Sequence, residues 1–364
     1  MSWNWQLPDW PTFQFNPELA LQYEKPFLLA AGSSGAYLKG IGVEEYNQFA
    51  VEILSEEGLE SSRIEGEWLD RESLQSSIRR HFGMHAAQKR VPPKESGMAQ
   101  LICNIYESYD KPLTHEMLGQ WHAQIFDGAS GLEDLGRYRS HPEPMQIVSN
   151  RYDVPRVFFE APPSDRVPRE MEAFVHWFNQ SRKTGSILAR AAIAHVYFES
   201  IHPFEDGNGR IGRALVEKIL SQGVGKPILI AVSKVLEKRK KEYYAALERC
   251  NRSLQVDHWV EFFSQVILQA QEESMKLLQF LVAKAKILTA LKGQLNERQE
   301  KVLLRMFSEG PEGFKGGLSA DNYLSISKTS RATATRDLAD LVEKGALVKK
   351  GELRHTRYFL KSKL

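Results

Sequence analysis

Helical spacing of apolar residues dominates the middle of this chain and is the feature that most constrains its fold. Apolar side chains recur at intervals of three and four residues in seven successive segments between residues 96 and 285 or shortly beyond. The segments span residues 98–110, 114–128, 168–180, 186–201, 211–223, 240–251 and 257–288. Because this period does not fit a β-strand, the sequence predicts a mainly α fold. With 364 residues, 42% of them hydrophobic, the chain is long enough for two or three domains.

One segment inside this helical series has a different pattern. In residues 145–165, MQIVSNRYDVPRVFFEAPPSD, two runs of β-favouring residues flank a polar turn. The pattern predicts a β-hairpin inserted between helices. The edge of such a hairpin could receive an extended peptide by strand pairing.

Residues 1–95 are predicted to form a separate N-terminal region. Prolines and aromatic residues are frequent in residues 1–27, which predicts an extended or hairpin-like lead-in whose tryptophans pack on the body of the protein. A helical pattern follows, with a break predicted near Gly58. The polar link KRVPPKESG, residues 89–97, ends this region, and a helical core is predicted for residues 96–285.

The last segment, residues 286–364, has the pattern of a winged helix-turn-helix domain. Three helical runs are followed by two β-runs across a turn, and Thr329 or Ser330 would cap the recognition helix. Residues 325–364 contain ten Lys or Arg and four Asp or Glu, an excess of six positive charges. This excess favours DNA binding, with contacts predicted from Arg331, Thr333 and Arg336. The alternative is that the domain docks proteins or dimerises, as other winged helices do.

Composition and charge narrow the possible partners, cysteine chemistry and cellular location of the protein. The formal net charge is only +2, so overall charge favours no kind of partner. Cys103 and Cys250 lie in helical patterns without metal-ligand spacing, which favours reduced structural residues. The N-terminus lacks the pattern of a secretion signal, and no apolar run reaches membrane-spanning length. We therefore expect a cytoplasmic protein with no membrane partner.

The stretch HPFEDGNGRIGR, residues 202–213, concentrates the polar chemistry of the chain. Gly207 and Gly209 form a flexible loop that leads directly into a helix, so backbone N–H groups and the positive helix end meet at one point. Arg210 and Arg213 are three residues apart and can project toward the same loop. This combination predicts a site for a polyphosphate.

Two further residues of the stretch complete a reaction site. Asp206 is a hard oxygen ligand that could hold Mg²⁺ beside phosphate oxygens. A histidine side chain ordinarily titrates near neutral pH, so His202 could accept the proton of a hydroxyl nucleophile. Together with the loop, these residues predict attack by a hydroxyl on a nucleotide phosphate.

Other interpretations of the stretch fit less well. A metal hydrolase would need a ligand cluster, but His195 lies seven residues before His202 and no further ligand completes a shell. The phosphate-binding pattern GxxxxGK[ST] does not occur in the chain.

With every specified position present, HPFEDGNGRIGR resembles the motif of Fic proteins, His-Pro-Phe-x-Asp/Glu-Gly-Asn-Gly-Arg-x-x-Arg. The surrounding strings AAIAHVYFESI, LGRYR, FFEAPP and YYAALERCN are similar to Fic sequences as well. The resemblance covers residues 10–270 approximately. It implies a Fic-type helical core with the hairpin as its flap, around Gln146 to Phe159, and transfer of AMP from ATP to a Ser, Thr or Tyr hydroxyl of a target protein.

The resemblance also implies a role for each matching residue. His202 would be the base, Asp206 the Mg²⁺ ligand, and Arg210 and Arg213 the partners of the β- and γ-phosphates. The α-phosphate would lie against the side chain of Asn208 and the amides of Gly207 and Gly209. The base of the nucleotide would lie against Tyr243, Tyr244 and Asn251, a weaker pattern that also fits simple helix packing.

A second string resembles an inhibitory motif of Fic proteins, Ser/Thr-x-x-x-Glu-Gly/Asn. It is SSRIEG, with Ser61, Glu65 and Gly66 at the specified positions. Ser61 and Glu65 are four residues apart and are predicted to share a helix face, from which Glu65 would pair with Arg213. The resemblance implies an autoinhibited enzyme in which the glutamate denies Arg213 to the γ-phosphate.

Several questions stay open at the level of the sequence. In some Fic proteins the inhibitory glutamate also supports removal of AMP, so the direction of the reaction is not fixed. A transcription regulator that senses nucleotide, and a Fic enzyme with another nucleotide donor, are the alternatives. The target protein is not identified, and a homodimer is one option for the oligomeric state.

Overall fold

The computed structural model describes residues 2–86, 90–148, 156–183 and 185–361. Helices dominate these residues, which confirms the predicted mainly α fold. The helices are α1 (Pro17–Lys39), α2 (Val43–Ile64), α3 (Arg71–His81), α4 (Pro93–Ser108), α5 (His115–Ile125), α6 (Val167–Gln180), α7 (Ile187–Ile201), α8 (Asn208–Val224), α9 (Val232–Lys238), α10 (Lys240–Cys250), α11 (Asp257–Ala290), α12 (Glu297–Ser308), α13 (Ala320–Ser327) and α14 (Arg331–Glu343). The strands are β1 (Gln146–Val148), β2 (Val157–Glu160), β3 (Leu347–Lys350) and β4 (Arg357–Leu360).

The chain divides into two compact units. The first comprises Met1–Tyr37 and Ala50–Glu272, and the second comprises Leu38–Phe49 and Glu273–Leu364. The first unit thus contains most of the N-terminal region together with most of the helical core.

Helices α7 and α8 form the centre of the first unit. Every residue of α7 from Leu188 to Ile201 is buried, because this helix is apolar around nearly its whole circumference. The side chain of Ser186 caps α7 by accepting the N–H of Ala189. Helix α8 is buried along most of its length and packs on α7. The motif loop, residues 202–207, joins these two rigid helices, which fixes the loop in place.

The predicted hairpin is present. Strands β1 and β2 pair antiparallel, with Gln146 opposite Glu160 and Ile147 opposite Phe159. The predicted turn falls on residues 149–155, which lie outside the described residues. All of β1 is exposed, whereas Phe159 of β2 is buried.

Two predictions for the N-terminal region are wrong. The predicted extended lead-in ends early, because α1 begins at Pro17, and proline is well tolerated in the first turn of a helix. The predicted break near Gly58 does not occur, and α2 continues through it. A Cβ on Gly58 would lie 2.5 Å from Cδ1 of Ile102, so this glycine allows close packing of α2 on α4.

The second unit contains the elements predicted for residues 286–364. Helices α12, α13 and α14 are followed by the antiparallel pair β3 and β4, and Leu318 forms a further antiparallel bridge with Tyr358. Ser330, rather than Thr329, caps α14 by accepting the N–H of Thr333. The core is apolar and includes Val302, Leu303, Leu338 and Leu341.

The candidate DNA contacts lie on α14. Arg331 and Arg336 are exposed and Thr333 is half-buried. Nη2 of Arg331 lies 3.2 Å from Oδ1 of Asp321, so part of its charge is balanced within the unit. Asp337, on the same helix, is buried and accepts hydrogen bonds from Arg298 and Tyr323.

Candidate active site

A cavity of about 830 Å³ opens beside the motif loop. Its wall includes His202 and the segment Asp206–Gly209 from the loop and the start of α8, Phe158 and Phe159 from β2, and Tyr243, Tyr244 and Asn251 from the region of α10. The cavity therefore brings together the motif, the flap and the residues expected to contact the base.

His202 ends helix α7 in the left-handed conformation, with φ of 50°. Its N–H donates to the carbonyl of Phe198, and its carbonyl accepts a 2.8 Å hydrogen bond from Nε of Arg139. The N–H and the carbonyl of His202 are therefore both hydrogen-bonded. Burial, followed by the positive charge of Arg139, lowers the pKa of His202 to about 4. The imidazole is therefore neutral at physiological pH, which is the form that accepts a proton.

Glu199 is a functional candidate that the motif patterns of the sequence do not include. It is buried, and its Oε2 lies 3.7 Å from Nδ1 of His202. Burial, and next the charge of Glu65, raise the pKa of Glu199 to about 8. The spacing of three residues before His202 on one helix was the available signal, because such residues share a face.

The side chain of Asn208 stabilises the motif loop through two hydrogen bonds. Nδ2 of Asn208 donates to the carbonyl of Phe204 over 2.8 Å, and the N–H of Phe204 donates to Oδ1 of Asn208 over 2.9 Å. Gly207 has φ of 80°, and a Cβ there would collide with the ring of Phe126. The side chain of Asn208 thus shapes the loop at the cavity wall.

Asp206 offers the carboxylate predicted to bind Mg²⁺. Its Oδ1 accepts the N–H of Gly207 over 2.6 Å, and its side chain is 63% exposed at the cavity wall. In the part of the chain that the structure describes, no group of three or more His, Cys, Asp or Glu could hold a metal ion. An ion at Asp206 would therefore take most of its oxygen ligands from phosphate and water, as Mg²⁺ commonly does.

Arg213 contacts the predicted inhibitory segment through three groups. Its Nε donates to Oγ of Ser61 over 2.9 Å, and its Nη2 donates to the carbonyl of Ser61 over 2.8 Å. Nη2 also lies 2.8 Å from Oε1 of Glu65. Burial alone would lower the pKa of Arg213, but the charge of Glu65 raises it instead. The ion pair that the sequence predicts is present in the structure.

Arg210 is paired with Glu67, an acid of the same segment that the motif patterns of the sequence do not include. Its Nη1 lies 2.5 Å from Oε2 of Glu67, and its guanidinium stacks 4.8 Å from the ring centre of Phe126. Nζ of Lys94 lies 3.8 Å from Oε1, the other carboxylate oxygen of Glu67. Both arginines of the motif are therefore paired with acids two residues apart in the chain.

The turn after α2 explains how both acids reach the loop. Helix α2 ends at Ile64, so Glu65 follows the helix and does not share a helical face with Ser61 as predicted. Gly66 has φ of 83°, the left-handed conformation that commonly terminates helices, and the N–H of Glu67 donates back to the carbonyl of Ser62. The turn replaces a continuing helix and directs Glu65 and Glu67 toward α8.

The carboxylate of Glu65 lies at the N-terminal end of α8. A Cβ added to Gly209, the second residue of that helix, would collide with Oε1 of Glu65 and would lie 3.0 Å from Nη1 of Arg213. Helix N-termini favour anions, because their N–H groups and dipole are positive. Glu65 thus places a negative charge where the sequence predicts phosphate.

The residues expected to contact the base lie at one side of the cavity. Tyr243 is buried, and its hydroxyl is hydrogen-bonded to Nε2 of His195 over 3.1 Å. Tyr244 is 42% exposed, and its hydroxyl donates to the carbonyl of Ile64 over 3.3 Å. Nδ2 of Asn251 donates to the carbonyl of Phe158 in β2 over 3.0 Å. His195 is therefore a packing residue within α7 rather than a metal ligand with His202.

Family comparisons match two parts of the chain. Residues 112–220 match the Fic/DOC family, and residues 3–84 match DUF4172, a domain of unknown function. The first match contains the complete loop motif, so residues 112–220 of this chain carry a Fic domain.

The curated relatives are named as protein adenylyltransferases. The chain is 28% identical over 179 residues to protein adenylyltransferase fic-1 of Caenorhabditis elegans, covering 48% of this chain and 30% of that protein. It is 44% identical over 62 residues to a probable protein adenylyltransferase of Aquifex aeolicus, covering 17% of this chain and 19% of that protein. The chain thus spans less than a third of the length of these relatives.

Solved structures share the fold. A Fic family protein from Desulfovibrio desulfuricans G20 superposes with a TM-score of 0.57 at 21% identity, covering 97% of this chain and 98% of that one. Fic-1 of C. elegans gives a TM-score of 0.51 at 21% identity and 74% coverage of both chains.

Within the described residues, no helix combines the length and apolarity needed to cross a bilayer.

Proposed function

We propose that this chain is a protein adenylyltransferase whose described state is autoinhibited. It transfers AMP from ATP to a Ser, Thr or Tyr hydroxyl of a target protein. The observation that carries the proposal is the carboxylate of Glu65 at Gly209 and Arg213, a negative charge in a site built for phosphate. A site that binds an internal anion in this way is suited to the anionic end of a nucleotide once that anion leaves.

The reaction follows from the groups around the loop. The hydroxyl oxygen of the target forms a bond to the α-phosphorus while the bond from that phosphorus to the α,β-bridging oxygen breaks. The electron pair leaves with pyrophosphate, and His202 accepts the hydroxyl proton. The lowered pKa of His202, about 4, keeps the imidazole ready for this step. The protein needs no covalent intermediate.

Binding of the triphosphate uses the start of α8. The backbone at Gly207 and Gly209 lies against the α-phosphate, and Arg210 and Arg213 hold the β- and γ-phosphates. Asp206 would hold Mg²⁺, which when bound neutralises charge on phosphate oxygens. Tyr243, Tyr244 and Asn251 receive the base at the other side of the cavity.

Autoinhibition follows from the two ion pairs. Glu65 withholds Arg213, and Glu67 withholds Arg210, from the terminal phosphates. Because both arginines are almost fully buried, a phosphate can reach them only by displacing these acids. Glu65 could also orient a water that removes AMP from a modified target, and release of AMP from a labelled target would test this reverse reaction.

Two surfaces complete the proposal. Strand β1, whose three residues are exposed, would pair with an extended segment of the target protein. The three helices and paired strands of residues 286–364 form a winged helix that contacts DNA through α14, supported by its exposed arginines.

Mass spectrometry tests the activity. The Glu65→Gly protein is incubated with ATP, Mg²⁺ and a bacterial lysate, and peptides are searched for AMP on hydroxyl side chains. We expect AMP-modified peptides that are absent when Glu65→Gly is combined with His202→Ala. Modification by another nucleotide or group would show that ATP is not the donor. Absence of any modification would contradict the proposed activity.

A further inference from the structure

Residues Trp3–Trp5, termed here the N-terminal wedge, lie between the flap and the end of α10. They overlap a short 3₁₀ helix, Asn4–Gln6, and belong to the region that matches a domain of unknown function. Asn4 has no exposed surface, and both tryptophans are at least 91% buried. A polar side chain buried this completely requires hydrogen-bond partners.

Asn4 finds its partners at two elements of the cavity wall. Its Nδ2 donates to Oγ of Ser200 over 2.7 Å and to the carbonyl of Cys250 over 3.1 Å. Its backbone N–H donates to the carbonyl of Asn251 over 2.8 Å. One side chain therefore links α7, two residues before His202, to the end of α10.

The tryptophans attach the wedge to the flap. Trp3 packs edge-on against Phe159, with ring centres 5.4 Å apart, and Nε1 of Trp5 donates to the carbonyl of Glu160 over 2.7 Å. Asn251 itself donates from Nδ2 to the carbonyl of Phe158. The carbonyl of Asn251 is thus held by the wedge, and its side chain by β2.

The lead-in is tied down after the wedge as well. The N–H of Gln14 donates to the carbonyl of Leu254, and the N–H of Val256 donates to the carbonyl of Gln14, both over 2.8 Å. These contacts flank the short segment that follows Asn251. The N-terminal residues are therefore an ordered part of the site and not a free tail.

We propose that Asn4 is a positioning residue for the base-binding side of the cavity. It fixes the backbone of Asn251, which directs the amide of that residue toward both the base and β2. Asn4 would touch neither the nucleotide nor the reacting atoms, and its hydrogen bonds go to Ser200, Cys250 and Asn251 rather than to the arginines that hold the phosphates. The inference rests on the proposed function, because it assumes that a nucleotide base lies against Asn251.

Two probes separate the base from the phosphates. Binding of ATP and of inorganic tripolyphosphate, each with Mg²⁺, is measured by calorimetry in the Glu65→Gly background. Asn4→Ala is expected to weaken ATP binding by about tenfold, the effect of losing a well-placed polar contact, and to leave tripolyphosphate binding unchanged. Asn16→Ala, which alters an exposed asparagine of the same lead-in, is expected to change neither.

A second variant distinguishes a specific loss of ATP binding from a general loss of folding. Ser200→Ala removes one acceptor of Asn4 and places a good helix former in α7, so we expect a smaller, ATP-specific loss of about threefold. Equal weakening of both probes in Asn4→Ala and Ser200→Ala would indicate general structural damage and overturn the inference. So would unchanged ATP binding in both variants. If Glu65→Gly itself binds neither ATP nor tripolyphosphate, the proposed function fails before the inference is reached.

Discussion

Two acids of one turn pair with two arginines of the motif, and this pairing is the main finding at the scale of the residue. Glu65 and Glu67 each bind a guanidinium that is almost fully buried. The glutamates themselves keep partial exposure, 28% and 29% of their side chains. A buried arginine whose acidic partner is partly exposed can exchange that acid for a phosphate. The phosphate approaches from the solvent side and does not have to cross the protein interior.

The paired acids predict graded release of activity. Glu65→Gly should raise AMP transfer by about tenfold or more, and Glu67→Gln by about fivefold, equivalent to roughly 1 kcal/mol of relieved competition. Initial rates of AMP labelling measure both. Glu116→Gln, an exposed acid on α5, serves as the control and should match the parent. A Glu67→Gln rate equal to that of the parent would remove Glu67 from the inhibitory mechanism.

Glu199 predicts a pH-dependent difference in stability. Its pKa is about 8 in the folded protein against an ordinary value near 4.5, so unfolding releases a proton between these pH values. The contribution of Glu199 to stability is therefore present below pH 4.5 and lost as pH rises through 8. Glu199→Gln cannot titrate, so its Tm relative to the parent should increase from pH 4.5 to pH 8.

The groups around Glu199 set the control for this measurement. Glu65, Arg213 and His202 face it in both proteins, and the lowered pKa of His202 affects stability in the opposite direction, as pH falls from 6.5 to 4. Because His202 is common to both proteins, its effect largely cancels in the difference. A Tm difference that is independent of pH would contradict the raised pKa of Glu199.

The sequence alone singles out the motif residues and Glu65, but it does not single out Glu67 or Asn4. His202, Asp206 and the two arginines follow from a contiguous pattern, and Glu65 follows from a short string. Glu67 and Asn4 could not be predicted, because an isolated acid and an isolated asparagine have no local pattern. Only the left-handed turn at Gly66 and the packing of the lead-in bring them to the site.

At the scale of the element, the end of α2 is held by α10. Nζ of Lys240 donates to the carbonyl of Ile64 over 2.5 Å, and the hydroxyl of Tyr244 donates to the same carbonyl. Carbonyls at a helix C-terminus lack partners within the helix, and cations are favoured there. These two donors therefore stabilise the turn that carries Glu65 and Glu67.

Removing one donor should loosen that turn. Lys240→Met is expected to raise AMP labelling by about twofold, less than Glu65→Gly, because Arg213 keeps its contacts with Glu65 and Ser61. Lys111→Met, an exposed lysine before α5, is the control. Labelling by Lys240→Met at the level of the parent would show that α10 does not support inhibition.

Element boundaries were harder to predict where packing overrides composition. Gly58 and Pro26 both lie inside helices, although each residue type favours a break. Close approach of α4 at Gly58 compensates for the poor helix propensity of glycine. The seven-residue helix α9 was not predicted at all, because it spans too few turns to establish a period.

At the scale of the whole molecule, the proposal combines an enzyme with a DNA-binding domain. Arg336→Ala should weaken binding to duplex DNA by a few-fold and reduce the salt dependence by about one counterion, while AMP labelling stays unchanged. Fluorescence anisotropy at several salt concentrations measures this. Arg305→Ala, on α12 of the same unit and paired with Glu309, is the control. DNA binding that is equal in all three proteins, or absent, would favour a protein-docking role for this domain.

Transfer of radioactive label tests the central claim most directly. The parent, Glu65→Gly, and Glu65→Gly combined with His202→Ala are each incubated with Mg²⁺ and ATP labelled at the α- or the γ-phosphate. The account predicts protein labelling from the α-position alone, weak in the parent, strong in Glu65→Gly and absent in the double variant. Labelling from the γ-position, or equal α-labelling in all three proteins, would contradict an adenylyltransferase that uses His202 and is inhibited by Glu65.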